Sequence, residues 1–405
     1  PAIAGTPMLN KPPLHAWLIA LLSLPGDAVT PRTAALASVV AGVGIVLATA
    51  WLGTRLLAPA VGLTAGLVAA TTVGLFSLAH VPLPDTTLTL AITGAMCAFL
   101  LAEFEQRRGA LTAFYGLTGL AFLAKGPVGL IPLAIALVLE LITHGRGGLR
   151  RLFSLPGILI LGLLTLPWLL LALRTGGQGF VRGVLVQDFQ STYFGSGGRH
   201  WLRLVHPIKL AVEHLLPWVV LLPLAAWSAL REPDRHRGRR LRFPLVWAAT
   251  AFVLVAISER QRWRYYLPLV PPVALLVAAW YHRLPMRRWT TVAAPVCLAL
   301  VVVALGVGGR YEARKRERLT AIHDVVRELK SAPAPTFAID SPDIVFDYYA
   351  DHPVIPLTEY GPFQRAPGPA YLIAPETMAS VVPASLDRLA VEARVNGKKF
   401  ILLRK

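Results

Sequence analysis

The chain has 405 residues, of which 55% are hydrophobic and only 15% charged, and its mean hydropathy is +0.57. This is too apolar for an ordinary soluble domain and fits a polytopic membrane protein. The net charge of +18 comes mostly from arginine. In a membrane protein that excess calls for no nucleic acid partner, since basic cytoplasmic loops produce it. There is neither a zinc-finger pattern nor a basic region interleaved with aromatics.

Residues 1–12 are loop-like and lack a signal peptide; because the chain starts at Pro1, sequence upstream of it is expected. Residues 13–24, PLHAWLIALLSL, are too short to span a bilayer and suit its interface, with His15 and Trp17 at headgroup level. Ten spans follow, predicted at 33–52, 59–79, 86–104, 110–124, 127–143, 153–173, 208–230, 243–258, 265–281 and 289–308. Cys97 and Cys297 lie within apolar runs as small core residues. By span parity the basic clusters Arg107-Arg108, Arg146 with Arg150-Arg151, the 231–242 stretch and Arg283 with Arg287-Arg288 share one side, assigned to the cytoplasm. The other side holds residues 1–32, 80–85, 125–126, 174–207, 259–264 and everything after 309. On that side the short loop ERQRWR carries Arg260, Arg262 and Arg264, either snorkelling to headgroups or binding an anionic substrate.

Residues 310–330 have the pattern of a charged amphipathic helix. Beyond them the apolar runs TFAI, VIPLT, AYLIA and KFILL alternate with short helical stretches such as 343–350, which indicates a small α/β domain. The expected architecture is an all-α polytopic membrane domain of about ten spans, residues 1–309, followed by an extracytoplasmic α/β domain, residues 310–405.

Charged groups at span ends are the candidates for chemistry. Asp85, in SLAHVPLPDTTLTL, stands beside a long apolar run, where a carboxylate is costly. It serves either as an N-cap or as a base, and the two roles are compatible. Lys11 precedes a proline pair and is either a solvated charge or a phosphate anchor. Lys125 occupies a tight turn between two spans, and Arg264-Tyr265 opens another; both positions also suit interfacial anchoring. The loop 174–207 holds Asp188, Arg199, His200 and His206 around a glycine-rich stretch. Its length suggests a mobile segment, and its histidines lack metal-ligand spacing. No structural zinc is expected, although one histidine with distant carboxylates leaves room for a divalent cation.

Six segments in order resemble the bacterial membrane glycosyltransferases of the GT-C type, in the branch of the lipid A aminoarabinose transferase and the protein mannosyltransferases. They are NKPPLHAWLIAL (10–21), PRTAAL (31–36), LPDTTLTLAIT (83–93), LTGLAFLAKGPVGLIPL (117–133), HLLPWVVLLPLA (214–225) and RYYLPLVPPVALL (264–276). The resemblance implies transfer of a sugar from a polyprenyl-phosphate carrier at the outer face of the inner membrane. It implies that Asp85 is a second-loop carboxylate serving the reaction, and that Lys11, Arg264 and Tyr265 contact the donor phosphate. Lys125 matches the Lys-Gly-Pro turn. It further implies partners that are a lipid-linked sugar, membrane lipids and a lipid, glycan or protein acceptor. The family's earlier span and the acidic motif before Lys-Pro-Pro have no match in this chain. Asn10 stands where Glu is frequent, and Tyr193-Phe194 lies where an Arg-Phe pair is expected. Two competing readings are a flippase for lipid-linked sugars and a noncatalytic scaffold. A flippase should show repeated halves with charges near mid-span, whereas here the charges gather at one face.

Overall fold

The computed structural model describes residues 2–3, 6–7, 12–26, 28–180, 202–258, 261–284, 306, 320–331, 334–339, 346, 354–357, 361–366, 368–378, 386–395 and 398–405. The chain divides into two units, Leu9–Leu305 and a second made of Pro1–Met8 with Gly306–Lys405.

The larger unit is helical. It comprises α1 (Leu14–Ser23), α2 (Pro31–Leu56), α3 (Pro59–Ala70), α4 (Val73–Ala79), α5 (Pro84–Glu105), α6 (Ala110–Lys125), α7 (Ile131–His144) and α8 (Leu155–Phe180). After these come α9 (Leu202–Leu215), α10 (Leu222–Leu230), α11 (Arg235–Ala256) and α12 (Val270–Tyr281). Thr30 and Thr33 form a reciprocal capping box at the start of α2. Its buried face, Ala37, Ser38, Ala41, Gly42, Ile45, Thr49, Leu52, Gly53 and Leu56, follows helical spacing and is mostly small. Lipid gives apolar helices no reason to associate, so close backbone approach through small residues is what joins them. Gly53 of α2 and Gly62 of α3 meet in this way. α12 is buried throughout from Val270 to Ala279 and runs through the centre of the bundle. α8, by contrast, turns Leu159, Leu163, Leu166, Leu170 and Leu171 outward, as a lipid-facing helix does.

Among the described residues four helical runs are long and apolar enough to cross a membrane, and six if each bent pair counts as one span. The other expected spans have physical reasons for falling short. The run 243–258 is the apolar half of α11, whose first turns are rich in arginine. The run 265–281 is split into a 3₁₀ segment, Trp263–Leu269, and the twelve-residue α12. The run 289–308 lies outside the described residues apart from Gly306. Two expected spans are broken helices. α3 and α4 meet at 63°, and the segments on either side of Leu216-Pro217 meet at 113°. The run Ala110–Leu152 is continuous helix by composition, yet it doubles back at the 3₁₀ turn Gly126–Leu130, where Gly129 lies against the backbone of Ala121 and Phe122.

Among the described residues, basic groups of the loops share one end of this unit, as parity predicts, while Arg287 and Arg288 lie outside the described residues. Arg55 and Arg107 pair with Glu105, Arg151 and Arg239 pair with Glu103, and Arg240 donates to the carbonyls of Arg55 and Leu56. α5 is about 33 Å long at 1.5 Å per residue, so Asp85 at its start stands far from this end.

The smaller unit is α/β. Residues 2–3 (β1) and 6–7 (β2), expected to be loop, pair as a short antiparallel ribbon. A five-stranded mixed sheet has the order β4-β3-β5-β7-β6, formed by β3 (Thr336–Ile339), β4 (Val354–Leu357), β5 (Tyr371–Pro375), β6 (Asp387–Val395) and β7 (Lys398–Arg404). β3 runs parallel to β4 and β5, while β7 is antiparallel to β5 and β6. Alternate residues of β5 serve opposite faces. Tyr371 and Ile373 pack with Ile322, Val325, Val326 and Leu329 of the helix 320–331; Leu372 and Ala374 pack with Phe363 of the short helix Gly361–Arg365.

Gly129→Ala places a Cβ inside the backbone of Ala121 and Phe122, which has no side chain to move aside. The expected cost is about 3 kcal/mol, seen as a lower melting temperature in detergent; an unchanged melting temperature would show that the turn can open.

Candidate functional site

Proline at the first position starts α5 at Pro84, with Leu83 as its N-cap and no side-chain cap bond. Asp85 is therefore not the capping residue that the sequence suggested. It lies in the first helical turn, where the helix dipole favours a carboxylate. Its side chain is buried, and its charge is met by groups from two other segments. Lys125 ends α6, where the dipole favours a cation. Lys125 Nζ donates to Asp85 Oδ1 at 2.5 Å. Arg264, in the 3₁₀ segment before α12, brings Nε to 3.6 Å from Asp85 Oδ2. That separation is too long for a hydrogen bond. Both atoms are buried, and neither has a hydrogen-bond partner among the described residues. The Tyr265 ring receives Lys125 Nζ at 4.2 Å from its centroid and the Arg264 guanidinium at 5.8 Å, as cation–π contacts.

Gly126, with φ of +75°, gives the sharp turn just after Lys125 that only glycine takes without strain. Pro12 packs against this turn, within 3.8 Å of the space a Gly126 Cβ would occupy. The Lys-Pro-Pro segment therefore reaches the cluster at its proline, while Lys11 itself lies outside the described residues. His15, expected at headgroup level with Trp17, is buried: its Nδ1 shares a hydrogen bond of 2.9 Å with the Thr87 hydroxyl, tying α1 to α5 two residues beyond Asp85. Burial lowers its pKa from the usual histidine value, with the Pro82 backbone and the Asp85 charge opposing that shift. Trp17 is exposed, as an interfacial residue should be.

Four sequence candidates, Asp85, Lys125, Arg264 and Tyr265, thus converge. Asp188, Arg199 and His200 lie outside the described residues, and His206 is exposed on α9. Two groups escaped sequence reasoning. His214 is wholly buried within an apolar run. At the far end of α5, Glu103, Glu140 and His144 bring ligand atoms within 4.8 Å of one another. Glu140, a carboxylate inside the run IPLAIALVLELITH with a histidine four residues on, was the available signal. This second cluster is an ion-pair network. Arg239 and Arg151 hold the two oxygens of Glu103 at 2.7 and 3.1 Å, and His144 Nδ1 meets Glu140 Oε2 at 2.9 Å. Two guanidiniums in place already supply the positive charge that a metal ion would bring.

Replacing Asp85 with alanine strands Lys125 and Arg264 without their counter-charge. The expected loss is about 3–5 kcal/mol of stability, measured by thermal unfolding in detergent. The double variant Asp85→Ala/Lys125→Ala should lose clearly less than the sum of the single losses.

Residues 10–171 match the family model described as dolichyl-phosphate-mannose-protein mannosyltransferase. Two curated relatives are named undecaprenyl phosphate-alpha-4-amino-4-deoxy-L-arabinose arabinosyl transferase. The one from Edwardsiella ictaluri is 29% identical over 241 residues, 58% of this chain and 43% of its own length. The one from Enterobacter sp. is 26% identical over 301 residues, 71% of this chain and 53% of its own length. The chain thus spans about half the length of the curated relatives it matches. Its fold is shared with the crystal structure of ArnT from Cupriavidus metallidurans bound to undecaprenyl phosphate, at TM-score 0.79 and 19% identity, covering 98% of this chain and 88% of that one. The resemblance to GT-C membrane glycosyltransferases of the aminoarabinose transferase and protein mannosyltransferase branch is borne out in both sequence and fold.

Proposed function

We propose that the chain is a multi-pass inner-membrane glycosyltransferase that moves a sugar from a polyprenyl-phosphate donor to a lipid, glycan or protein acceptor at the periplasmic face. The observation that carries this reading is the buried Asp85 carboxylate flanked by Lys125 and Arg264 at one end of an apolar bundle. The names of the relatives, and the undecaprenyl phosphate in the ArnT structure, support a lipid-phosphate donor.

The chemistry needs two things that this set supplies. The phosphate that leaves the sugar carries charge that must be stabilised, and the attacking group must lose a proton. Lys11, Lys125, Arg264 and Tyr265 hold the donor phosphate. Asp85 takes the proton from the acceptor as the acceptor oxygen bonds to the anomeric carbon and the carbon–oxygen bond to the phosphate breaks. No covalent enzyme intermediate is required. An arriving phosphate competes with Asp85 for Lys125, so donor binding frees a carboxylate oxygen for the acceptor. The Arg264 Nε and Asp85 Oδ2 pair, a donor facing an acceptor across 3.6 Å, suits a group that both accepts and donates, as an acceptor's O–H does. In this reading residues 1–309 form the catalytic membrane domain. Residues 310–405 form a periplasmic domain, and the basic end lies in the cytoplasm by the positive-inside bias.

Asp85→Asn and Lys11→Ala should each lower transfer from a radiolabelled polyprenyl-phosphate sugar by about 100-fold or more, with the protein still folded. Undiminished transfer in both variants would falsify the site assignment. Movement of the lipid-linked sugar across vesicles without transfer would instead favour a flippase. Chemical labelling of the 231–242 loop from outside intact cells would overturn the orientation.

A further inference from the structure

His214 has no place in the chemistry above, yet it is completely buried. Neither ring nitrogen makes a well-formed hydrogen bond among the described residues, although the Trp263 backbone is near enough for a polar contact with the ring. A polar ring enclosed in this way costs free energy that an aliphatic side chain would avoid, so its presence asks for a reason of shape. Two contacts supply one. The imidazole meets the Trp263 ring edge-on, with centroids 4.6 Å apart, a favourable aromatic geometry. It also fills the space that a side chain at Gly74 would occupy: a Cβ there would overlap three atoms of the ring. The five-membered imidazole is the smallest aromatic ring a protein has, and a phenyl ring would crowd Gly74.

Trp263 opens the 3₁₀ segment that continues directly into Arg264 and Tyr265. The segment packs on both α9 and α4. The same two helices are tied where each is broken. Val73 N–H donates to the Leu216 carbonyl at 2.9 Å, and Trp218 Nε1 donates to the Thr71 hydroxyl at 2.9 Å. The histidine thus touches both this junction, at Gly74, and the segment that brings Arg264 to Asp85, at Trp263.

We infer that His214 is a positioning residue: packed against Gly74 and Trp263, it sets the 3₁₀ segment so that Arg264 and Tyr265 face the donor phosphate. The inference rests on the reading of Arg264 as a phosphate contact. It also assigns Gly74 a role, since only a residue without a side chain leaves room for the ring. Small displacements of a group that holds a reacting phosphate are costly, so the effect should appear in donor affinity and not only in stability.

The test uses the full chain in detergent and undecaprenyl phosphate as the probe, with the dissociation constant and the melting temperature measured on the same samples. His214→Ala and Gly74→Ala should each weaken binding about 10-fold, roughly 1.4 kcal/mol. The double variant should bind no more weakly than His214→Ala alone, because Gly74→Ala acts only by displacing the ring. If His214→Ala does not accumulate as folded protein, Trp263→Ala removes the other half of the contact and should give the same weakening. Wild-type affinity in His214→Ala or Trp263→Ala, with Arg264→Ala defective, overturns the positioning role and leaves the donor reading intact. Additive losses in the double variant overturn it too. Failure of the wild type to bind the probe, or full affinity in Arg264→Ala, instead defeats the reading of Arg264 itself.

Discussion

A carboxylate enclosed at the end of an apolar bundle must be met by positive charge, and Asp85 sets that requirement for the whole molecule. An unpaired buried charge costs several kcal/mol, so α5 can hold Asp85 in place only if other segments bring cations to it. α6 does so by ending in Lys125, and the chain before α12 does so with Arg264. Helix geometry supports both ends of the closer pair, since Asp85 lies in the first turn of one helix and Lys125 in the last turn of another. The arrangement ties together elements that lipid alone would not drive into contact. Assembly therefore draws on the same three side chains to which the proposed chemistry is assigned.

The two ends of α5 carry charge networks that are satisfied to different degrees. At the basic end the oxygens of Glu103 are each taken by an arginine, and Glu140 is bonded to His144. The network around Glu103 and Glu140 is closed, and it clamps α5, α7 and α11 to the 3₁₀ turn Gly145–Leu152. At the other end one oxygen of Asp85 is paired, while the second faces a guanidinium nitrogen across a gap, each without a hydrogen bond among the described residues. Buried polar atoms are nearly always satisfied. Among the described residues the exceptions include Asp85 Oδ2 with Arg264 Nε and, at the basic end, Glu232 Oε2 with Arg237 Nε, so what sets the Asp85 end apart is its place at the mouth of an apolar run among groups from three segments.

Much of this was legible in the sequence, for physical reasons that also mark the limits. Charges at the mouths of apolar runs are conspicuous, so Asp85, Lys125, Arg264 and Tyr265 could be singled out; their pairing could not, because periodicity carries no information about which helix ends meet. Hydropathy registers apolar length and is blind to direction, so 59–79 and 208–230 look like straight spans although both are broken. In the smaller unit, Ile322, Val325, Val326 and Leu329 recur at helical spacing and match the charged amphipathic pattern. The four apolar strands were visible as runs, whereas β6, DRLAVEARV, was hidden by its charges because it lies at the edge of the sheet. His15 and His214 were misplaced or overlooked for one reason: a lone histidine in an apolar segment does not reveal whether it faces lipid, water or protein.

The breaks in the helices are where the fold and the candidate site become a single problem. Irregular backbone within an apolar bundle is tolerable only where its freed polar groups find partners. Here two broken helices supply partners to each other, through the Val73 N–H on the Leu216 carbonyl and the Trp218 indole on the Thr71 hydroxyl. A pair of breaks satisfied mutually is stiffer than either alone, because opening one strands the polar groups of the other. The ring of His214 stands in this junction, and Trp263 leans on it. Arg264 is consequently attached to one of the more rigid parts of the bundle despite sitting in a short 3₁₀ segment. A charge that must hold its place opposite Asp85, across a distance too long for a hydrogen bond to fix, gains its precision from that junction and not from its partner.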